Sequence, residues 1–503
     1  MTCHDSHTDL LQSVSQDTES PPNSWPNLTI NHLPDEILLV IFDLYRQGVD
    51  SYDHQWREKY VWFNLTHVCR RWHAVVFASS SRLDLSITVG PIKPEHIETI
   101  LSSPLPILID YKCMYQDMTS SALWRMRTSL EQRARVRGIS FEGSIGQFNE
   151  LFIATNCNFP ILESLVLRCE YHKELDLPDT FLGGPDLSNL HLRCLKLERV
   201  SLTSVSRFLL FTSSITDLSL RIETAFGTSP ETPLLPCLQG MPCLSRLELS
   251  ISHRSPSPQF APNDIVPLSK LACFHYAGHS VFLDAIVAGI SAPSLQDFTM
   301  TFIDRILLPL ANLTRFIAET AEHYRGVHVT FHEEIFRLSL LTQSNFIHRT
   351  PVSIQSRIPR WSPEAILRMS GSLSTKLTTV EELCVTFAFA EMSTEDYIMW
   401  RQFYKLFPSV KVLHWDGANY DCIAYTLLQD HEEPNDVPAL FPALEEIEIG
   451  DGDYWTSQTR SESQLACFQP FISARERAGH PVKVFFRSEA VQTQMDSLWV
   501  FHI

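Results

Sequence analysis

His275 and His279, four residues apart, are spaced so that on a helix they would share one face, an arrangement that can hold a metal ion through two imidazoles. No third ligand stands at a recognisable spacing from them, and His4 and His7 lie in a polar N-terminal stretch, so the sequence assigns no metal. Asp416, Asp451 and Asp453 follow strand-like segments, where carboxylates form turns more often than they catalyse. Gly-x-x-x-x-Gly-Lys-Ser/Thr, Gly-x-Gly-x-x-Gly, His-Glu-x-x-His and Gly-x-Ser-x-Gly do not occur. The expectation is a protein that is not an enzyme and carries no cofactor. A hydrolase would need a Ser or Cys brought beside a histidine by the fold. What remains is recognition. Lys196, Glu198, Ser219, Arg221, Arg246, Glu248, His414, Glu446 and Glu448 alternate with apolar residues in strand-like segments. Such outward positions are candidates for holding a target protein, although solvation of a sheet accounts for any single one of them more readily.

The elements that would carry those positions recur. Phe159-Pro160-Ile161-Leu162, leading into Leu165-Val166-Leu167, has counterparts at Met241-Pro242-Cys243-Leu244, Phe407-Pro408-Ser409-Val410 and Phe441-Pro442-Ala443-Leu444, each followed by an alternating apolar segment. Weaker copies start at Leu192, Ile215, Pro293 and Val380. Between residues 160 and 300 the period is roughly 23 to 30 residues, within the range of leucine-rich repeats. Helix-like stretches, Leu202 to Phe211, Val281 to Ile290 and Thr394 to Leu406, lie between copies. Strand alternating with helix at this period implies an irregular leucine-rich-repeat solenoid of α/β class, a curved parallel sheet with helices on its convex side. A mixed α/β domain with incidental Leu-x-Leu strands is the alternative. Pro-rich insertions interrupt the pattern at Glu223 to Pro236, His253 to Asp264 and Arg349 to Pro363, and Phe471 to Phe486 reads as helix, glycine stop and strand.

Ahead of the repeats the pattern changes. Residues 1–27 are polar with three prolines, too poor in apolar surface to offset the entropy of ordering, and are expected to be disordered. Pro34 suits a first helical turn, Asp35 and Glu36 favour the same helix start, and Ile37, Leu38, Ile41, Phe42 and Tyr45 follow at helical spacing. Residues 46–60 break the pattern with Gly48 and mixed charge and read as a loop. A second amphipathic segment carries Leu65, Val68, Trp72, Val75 and Val76, with Arg70 and Arg71 projecting elsewhere.

Leu33-Pro34-Asp35-Glu36-Ile37-Leu38 with Ile41-Phe42, followed by Val68-Cys69-Arg70-Arg71-Trp72, resembles the two ends of an F-box. With the repeats behind it, the chain resembles the fungal F-box proteins whose short N-terminal box precedes a divergent leucine-rich-repeat-like domain. The resemblance implies an F-box at residues 28–80 carrying an insert at 46–60, a substrate-binding domain at 81–486 and a tail at 487–503. It implies the substrate-receptor subunit of a Skp1, cullin and F-box (SCF) ubiquitin ligase. Its partners would be a Skp1-like protein, through it a cullin, and a target protein. Carried over by position, Leu33, Pro34, Ile37, Leu38, Ile41 and Phe42 would form the docking segment, and Val68, Cys69 and Trp72 would complete the interface or the core behind it. The gap between Phe42 and Val68 is longer than in the usual box, so an insert on the Skp1 side would disturb docking. A repeat scaffold that never joins a ligase is the second reading.

Composition fits these expectations. The 503 residues, 44% of them hydrophobic, exceed one compact core. With 58 acidic against 40 basic residues the formal charge is -18, and no long Lys/Arg run offers a track for phosphates, so nucleic acid is not an expected partner. No stretch approaches the roughly 20 apolar residues of a membrane span, and the polar N-terminal stretch has no basic segment leading into an apolar one, so neither secretion nor import is expected. A cytoplasmic or nuclear protein is expected, in which the 12 dispersed cysteines are reduced and the sequons at Asn27, Asn64 and Asn312 are incidental.

Overall fold

Apolar residues at every second position become the strands of a long sheet, and apolar residues three and four apart become helices, both at the start of the chain and between later strands. The computed structural model describes residues 30–49, 61–79, 83, 85–89, 108–113, 119–170, 174–184, 191–201, 204, 209–210, 213–222, 234–252, 265–303, 310–320, 324–332, 335–342, 352–357, 367, 370–371, 373–387, 394–417, 420–428, 440–450 and 461–486. The expected disordered arm, most of the 46–60 loop, the tail, the insertion at 253–264 and most of the helix-like stretch from Leu202 lie outside them. The chain divides into two units, Met1–Ile87 with Leu105–Ile107, and Thr88–Pro104 with Leu108–Ile503.

The first unit is helical. A 3-10 turn (Ile30–His32) leads to α1 (Asp35–Val49), with α2 (Val61–Thr66) and α3 (Arg70–Ala78) following. The Pro34 carbonyl accepts the first helical bond, from Leu38 N at 3.1 Å. The sequence places a loop from residue 46, whereas α1 continues through Gly48 to Val49. One glycine costs only about 1 kcal/mol in a helix interior, so it need not end one. Cys69 caps α3, its sulfur accepting the Trp72 N–H at 3.5 Å. The core is Leu38, Leu39, Phe42, Leu65, Trp72, Val75 and Val76, with the Phe42 and Trp72 rings 4.8 Å apart.

The second unit is mixed α/β around one large sheet without barrel closure. After β1 (Ser86–Val89), which spans the division, the strands are β2 (Leu108–Cys113), β3 (Val136–Gly143), β4 (Ser164–Cys169), β5 (Cys194–Glu198), β6 (Asp217–Ile222), β7 (Arg246–Ile251), β8 (Val266–Pro267) and β9 (Cys273–Gly278). They continue as β10 (Ile290–Ser291), β11 (Asp297–Phe302), β12 (Gly326–His332), β13 (Ile335–Leu341), β14 (Val352–Arg357), β15 (Glu382–Phe387), β16 (Val412–Gly417), β17 (Glu446–Gly450) and β18 (Lys483–Phe486). From β2 the spatial order is β2-β3-β4-β5-β6-β7-β9-β11-β14-β13-β12-β15-β16-β17-β18, and β8 and β10 form a separate parallel pair.

Register stacks like on like. Leu165, Leu195, Leu218, Leu247, Phe274 and Phe298 are successive partners, and so are Leu167, Leu197, Leu220, Leu249, Tyr276 and Met300; all are buried. The Phe-Pro-x-Leu motif stands immediately before β4, β7, β16 and β17 and turns the chain into each of them. In each copy a β-turn bond closes it: Leu162 N to Phe159 O at 3.2 Å, Leu244 N to Met241 O at 3.2 Å, Val410 N to Phe407 O at 3.4 Å and Leu444 N to Phe441 O at 3.0 Å. Proline fixes the second turn position, and the two apolar ends of the turn point into the core. Beyond the turn, one carbonyl takes two N–H donors from the next strand's start: Arg193 O from Thr216 and Asp217, Thr216 O from Ser245 and Arg246, Ser245 O from Ala272 and Cys273.

Three further expectations are corrected. The sheet is not parallel throughout, because β13 runs antiparallel to both β12 and β14. His332 pairs with Ile335, and so short a connection permits only a hairpin, since a parallel return needs a dozen or more residues. The Pro-rich stretch from Arg349 is no mere insertion, for it contains β14. His275 and His279 share no helix: the first lies in β9, and the second is the N-cap of the helix Ser280–Ala288. At the end of the chain the helix Ser461–Arg477, Gly479 at φ 78° and β18 follow the expected succession.

Candidate functional site

In the first unit the two halves of the Leu-Pro-Asp…Arg-Arg-Trp pattern close on each other. Arg71, on the polar side of α3 and 36% exposed, turns back toward the first half of the pattern. Its guanidinium donates to the Leu33 carbonyl at 2.6 Å and to the Asp35 carboxylate at 2.6 Å, so the start of α3 is tied to the start of α1. Trp72 then meets Phe42 behind this tie.

That closure sorts the expected docking residues into two groups. Leu38, Phe42 and Trp72 are buried inside the unit and hold the helices together. Pro34 and Ile37 are exposed, Leu33, Ile41 and Cys69 half-buried, and Val68 is 58% exposed. The structure adds residues that the sequence reading passed over: Val40 is 46% and Leu44 62% exposed. Ile37, Val40, Ile41 and Leu44 have the spacing of one helical stripe, next to the inward stripe of Leu38, Leu39 and Phe42, while Tyr45, expected at the same helical spacing as Leu38 and Phe42, is 44% exposed. The signal was present, because from Ile37 to Leu44 only Asp43 is polar, and a helix apolar on two sides needs something to cover the second.

The second unit gathers the expected target-binding residues on the polar face of its sheet, in rows fixed by strand register. Lys196, Ser219, Glu248 and His275 are consecutive partners, and the row resumes at Cys384, His414 and Glu448. A second row runs Glu142, Arg168, Glu198, Arg221. Its charges alternate and pair: Arg168 reaches Glu142 at 3.7 Å and Glu198 at 3.1 Å, and Arg221 reaches Glu198 at 2.8 Å. Glu446 faces Lys483 at 3.7 Å, and His414 Nδ1 lies 2.6 Å from Glu448 Oε2 with His414 itself buried. Lys196, Arg221, Arg246 and Glu248 are exposed. Asp416, read as a loop carboxylate, lies within β16 opposite Gly450; Asp451, Asp453, His4 and His7 fall outside the described residues.

One constellation on the same face escaped the sequence reading. Cys273, His275 and Asp297 converge, with Cys273 Sγ 3.2 Å from His275 Nε2 and Asp297 Oδ2 3.2 Å from the same nitrogen. The signal was Cys-x-His within an alternating segment, which puts both side chains on one face, plus an Asp at the matching position of the next strand. Here a cysteine does stand beside a histidine, as a hydrolase would need. A nucleophile, base and orienter would use the two different ring nitrogens, whereas both neighbours here meet Nε2. Burial pushes the Cys273 thiol up, against the opposing hydrogen bond with Arg246, which is not the environment of an activated thiolate.

Residues 30–83 match the F-box-like family model. A search of curated proteins found no match to the chain. The match supports an F-box protein and covers α1, α2 and α3. F-box domains generally bind Skp1, and the region is consistent with a substrate-adaptor role in an SCF ligase.

Proposed function

We propose that this F-box-like protein is the substrate-recognition adaptor of an SCF-type ubiquitin ligase, docking a Skp1-like protein through its first unit and a target protein through its second. It acts by holding partners and performs no chemistry of its own. The reading keeps the second unit as a divergent leucine-rich-repeat domain: the turn and strand recur, each strand stacks on its neighbours, and the polar face offers the target an array of fixed side chains. We place the protein in the cytoplasm or nucleus, where such a ligase works.

The carrying observation is the outer stripe of α1. Ile37, Val40 and Leu44, each at least 46% exposed, flank Ile41 on a helix whose other side already fills the unit's core. Burial of an amphipathic face in a partner groove, with a few central residues contributing most, is the recurrent mode for such a surface. The test separates surface from core. Val40→Asp and Leu44→Asp should abolish capture of a Skp1-like protein while leaving the thermal melt unchanged, and Leu33→Ala with Pro34→Ala should weaken it by at least ~2 kcal/mol. Wild-type binding in all of these variants, measured by calorimetry, would exclude the docking surface and favour a repeat scaffold outside any ligase.

A further inference from the structure

Cys273, His275 and Asp297 do nothing that docking or the turn-and-strand pattern requires. Two sit on β9 with one residue between them, and Asp297 is the register partner of Cys273 on β11, so paired backbones fix all three origins. Sulfur to nitrogen is 3.2 Å, nitrogen to oxygen 3.2 Å and sulfur to oxygen 3.6 Å, close to an equilateral triangle. Around a tetrahedral zinc ion, with bonds of about 2.3 Å to sulfur and about 2.0–2.1 Å to nitrogen and oxygen, the same donors stand roughly 3.3–3.6 Å apart. Without an ion the thiol and a protonated Nε2 both donate to Asp297 Oδ2, so the types of the three donors and their spacing are what point to a metal.

The surroundings fit an ion. Thr299 Oγ1 donates to Asp297 Oδ1 at 3.2 Å and so turns Oδ2 toward the sulfur and the imidazole, the role of an outer partner at a metal site. The His275 and Asp297 side chains are 34% and 33% exposed, which leaves room for water as a fourth ligand. Arg246 hydrogen-bonds Cys273, and Asp217 acts on Arg246 in turn. A divalent ion together with Arg246 would balance the thiolate, Asp297 and Asp217. One sulfur, one imidazole and one carboxylate suit a borderline-soft ion, not calcium or magnesium, which prefer all-oxygen sets.

We propose that Cys273, His275 and Asp297 bind one zinc ion on the polar face of the sheet, with water completing a tetrahedron. The site is independent of the ligase reading, since it requires neither Skp1 nor a target. The test is titration of the full-length chain with zinc against a chromophoric chelator, paired with the visible spectrum of the cobalt-loaded protein. The wild-type chain should take up one tightly held ion, and cobalt should give the intense bands of a tetrahedral site with a thiolate charge-transfer band. Cys273→Ser, His275→Gln and Asp297→Asn should each weaken zinc more than about 100-fold, and Thr299→Val about 10-fold, within the range for outer partners. Zinc affinity unchanged in the three ligand variants, or a cobalt spectrum without thiolate charge transfer, would overturn the proposal. Should Cys273→Ser fail to fold, the near-isosteric Asp297→Asn chain carries the same comparison, with circular dichroism of the metal-free protein as the control.

Discussion

His328 shows how one side chain can set an acid limit. It sits in β12, buried on the row that joins Ser339 to Cys384, with Thr386 Oγ1 3.0 Å from its Nε2. Burial, reinforced by the nearby charges of Arg337 and His414, lowers its pKa from 6.5 to about 3, so the folded chain keeps it neutral. Below about pH 6.5 the unfolded chain takes up a proton that the folded chain refuses, and stability falls with pH down to about 3. The slope is at most about 1.4 kcal/mol per pH unit. Urea titrations at pH 7, 5.5 and 4.5 should show His328→Gln losing less stability on acidification than wild type. Parallel losses would remove His328 as the cause. No sequence pattern announces this residue, because its burial depends on what covers the polar face at β12 and not on alternation along the strand.

At the scale of elements, the last helix is held by one buried cation. Arg475, fully buried in Ser461–Arg477, donates to the carbonyls of Phe441 at 3.3 Å, Leu444 at 2.9 Å and His480 at 3.1 Å. Two of these belong to the Phe-Pro-Ala-Leu turn before β17, so the helix that follows a strand is locked onto the turn that precedes it. Arg475→Leu keeps apolar bulk but strands those carbonyls. About 1–3 kcal/mol is expected per buried group left without its partner, to be read from chemical denaturation. The turn itself was legible in the sequence because proline and leucine at fixed offsets have a local cause. The antiparallel excursion through β13 was not, since its residues alternate like those of any strand and only the short link between His332 and Ile335 dictates direction. Likewise, α1 was legible as a helix, while its division into inward and outward stripes required knowing where Trp72 lands.

For the whole molecule the central question is whether recognition by the two units is separable. Removing residues 28–77 should eliminate capture of a Skp1-like protein and preserve capture of the target, with affinity purification of both forms as the measurement. Loss of both would mean that the second unit cannot fold without the first. Charge reversal at Glu446 and Glu448 addresses the other end, and should reduce target capture while sparing Skp1. The row structure explains why the target-binding residues were only partly legible: alternation places Lys196, Glu248 and Glu448 on the polar face, but the pairing of Arg221 with Glu198 and the burial of His414 depend on neighbouring strands.

The spatial order β11-β14-β13-β12-β15 also bears on how the chain emerges from the ribosome. Up to β11 each new main-sheet strand can add to the growing edge as soon as it is synthesised. After β11 that growth must halt, because its next neighbour is β14, and Val352 leaves the ribosome only after β12 and β13. During the halt β11 is an open edge, a template for mispairing with other chains, while β12, β13 and β14 form an antiparallel meander of their own. The sheet resumes when this meander docks as a block. A nascent chain arrested between β11 and β14 therefore presents an unpaired strand edge that the finished sheet covers.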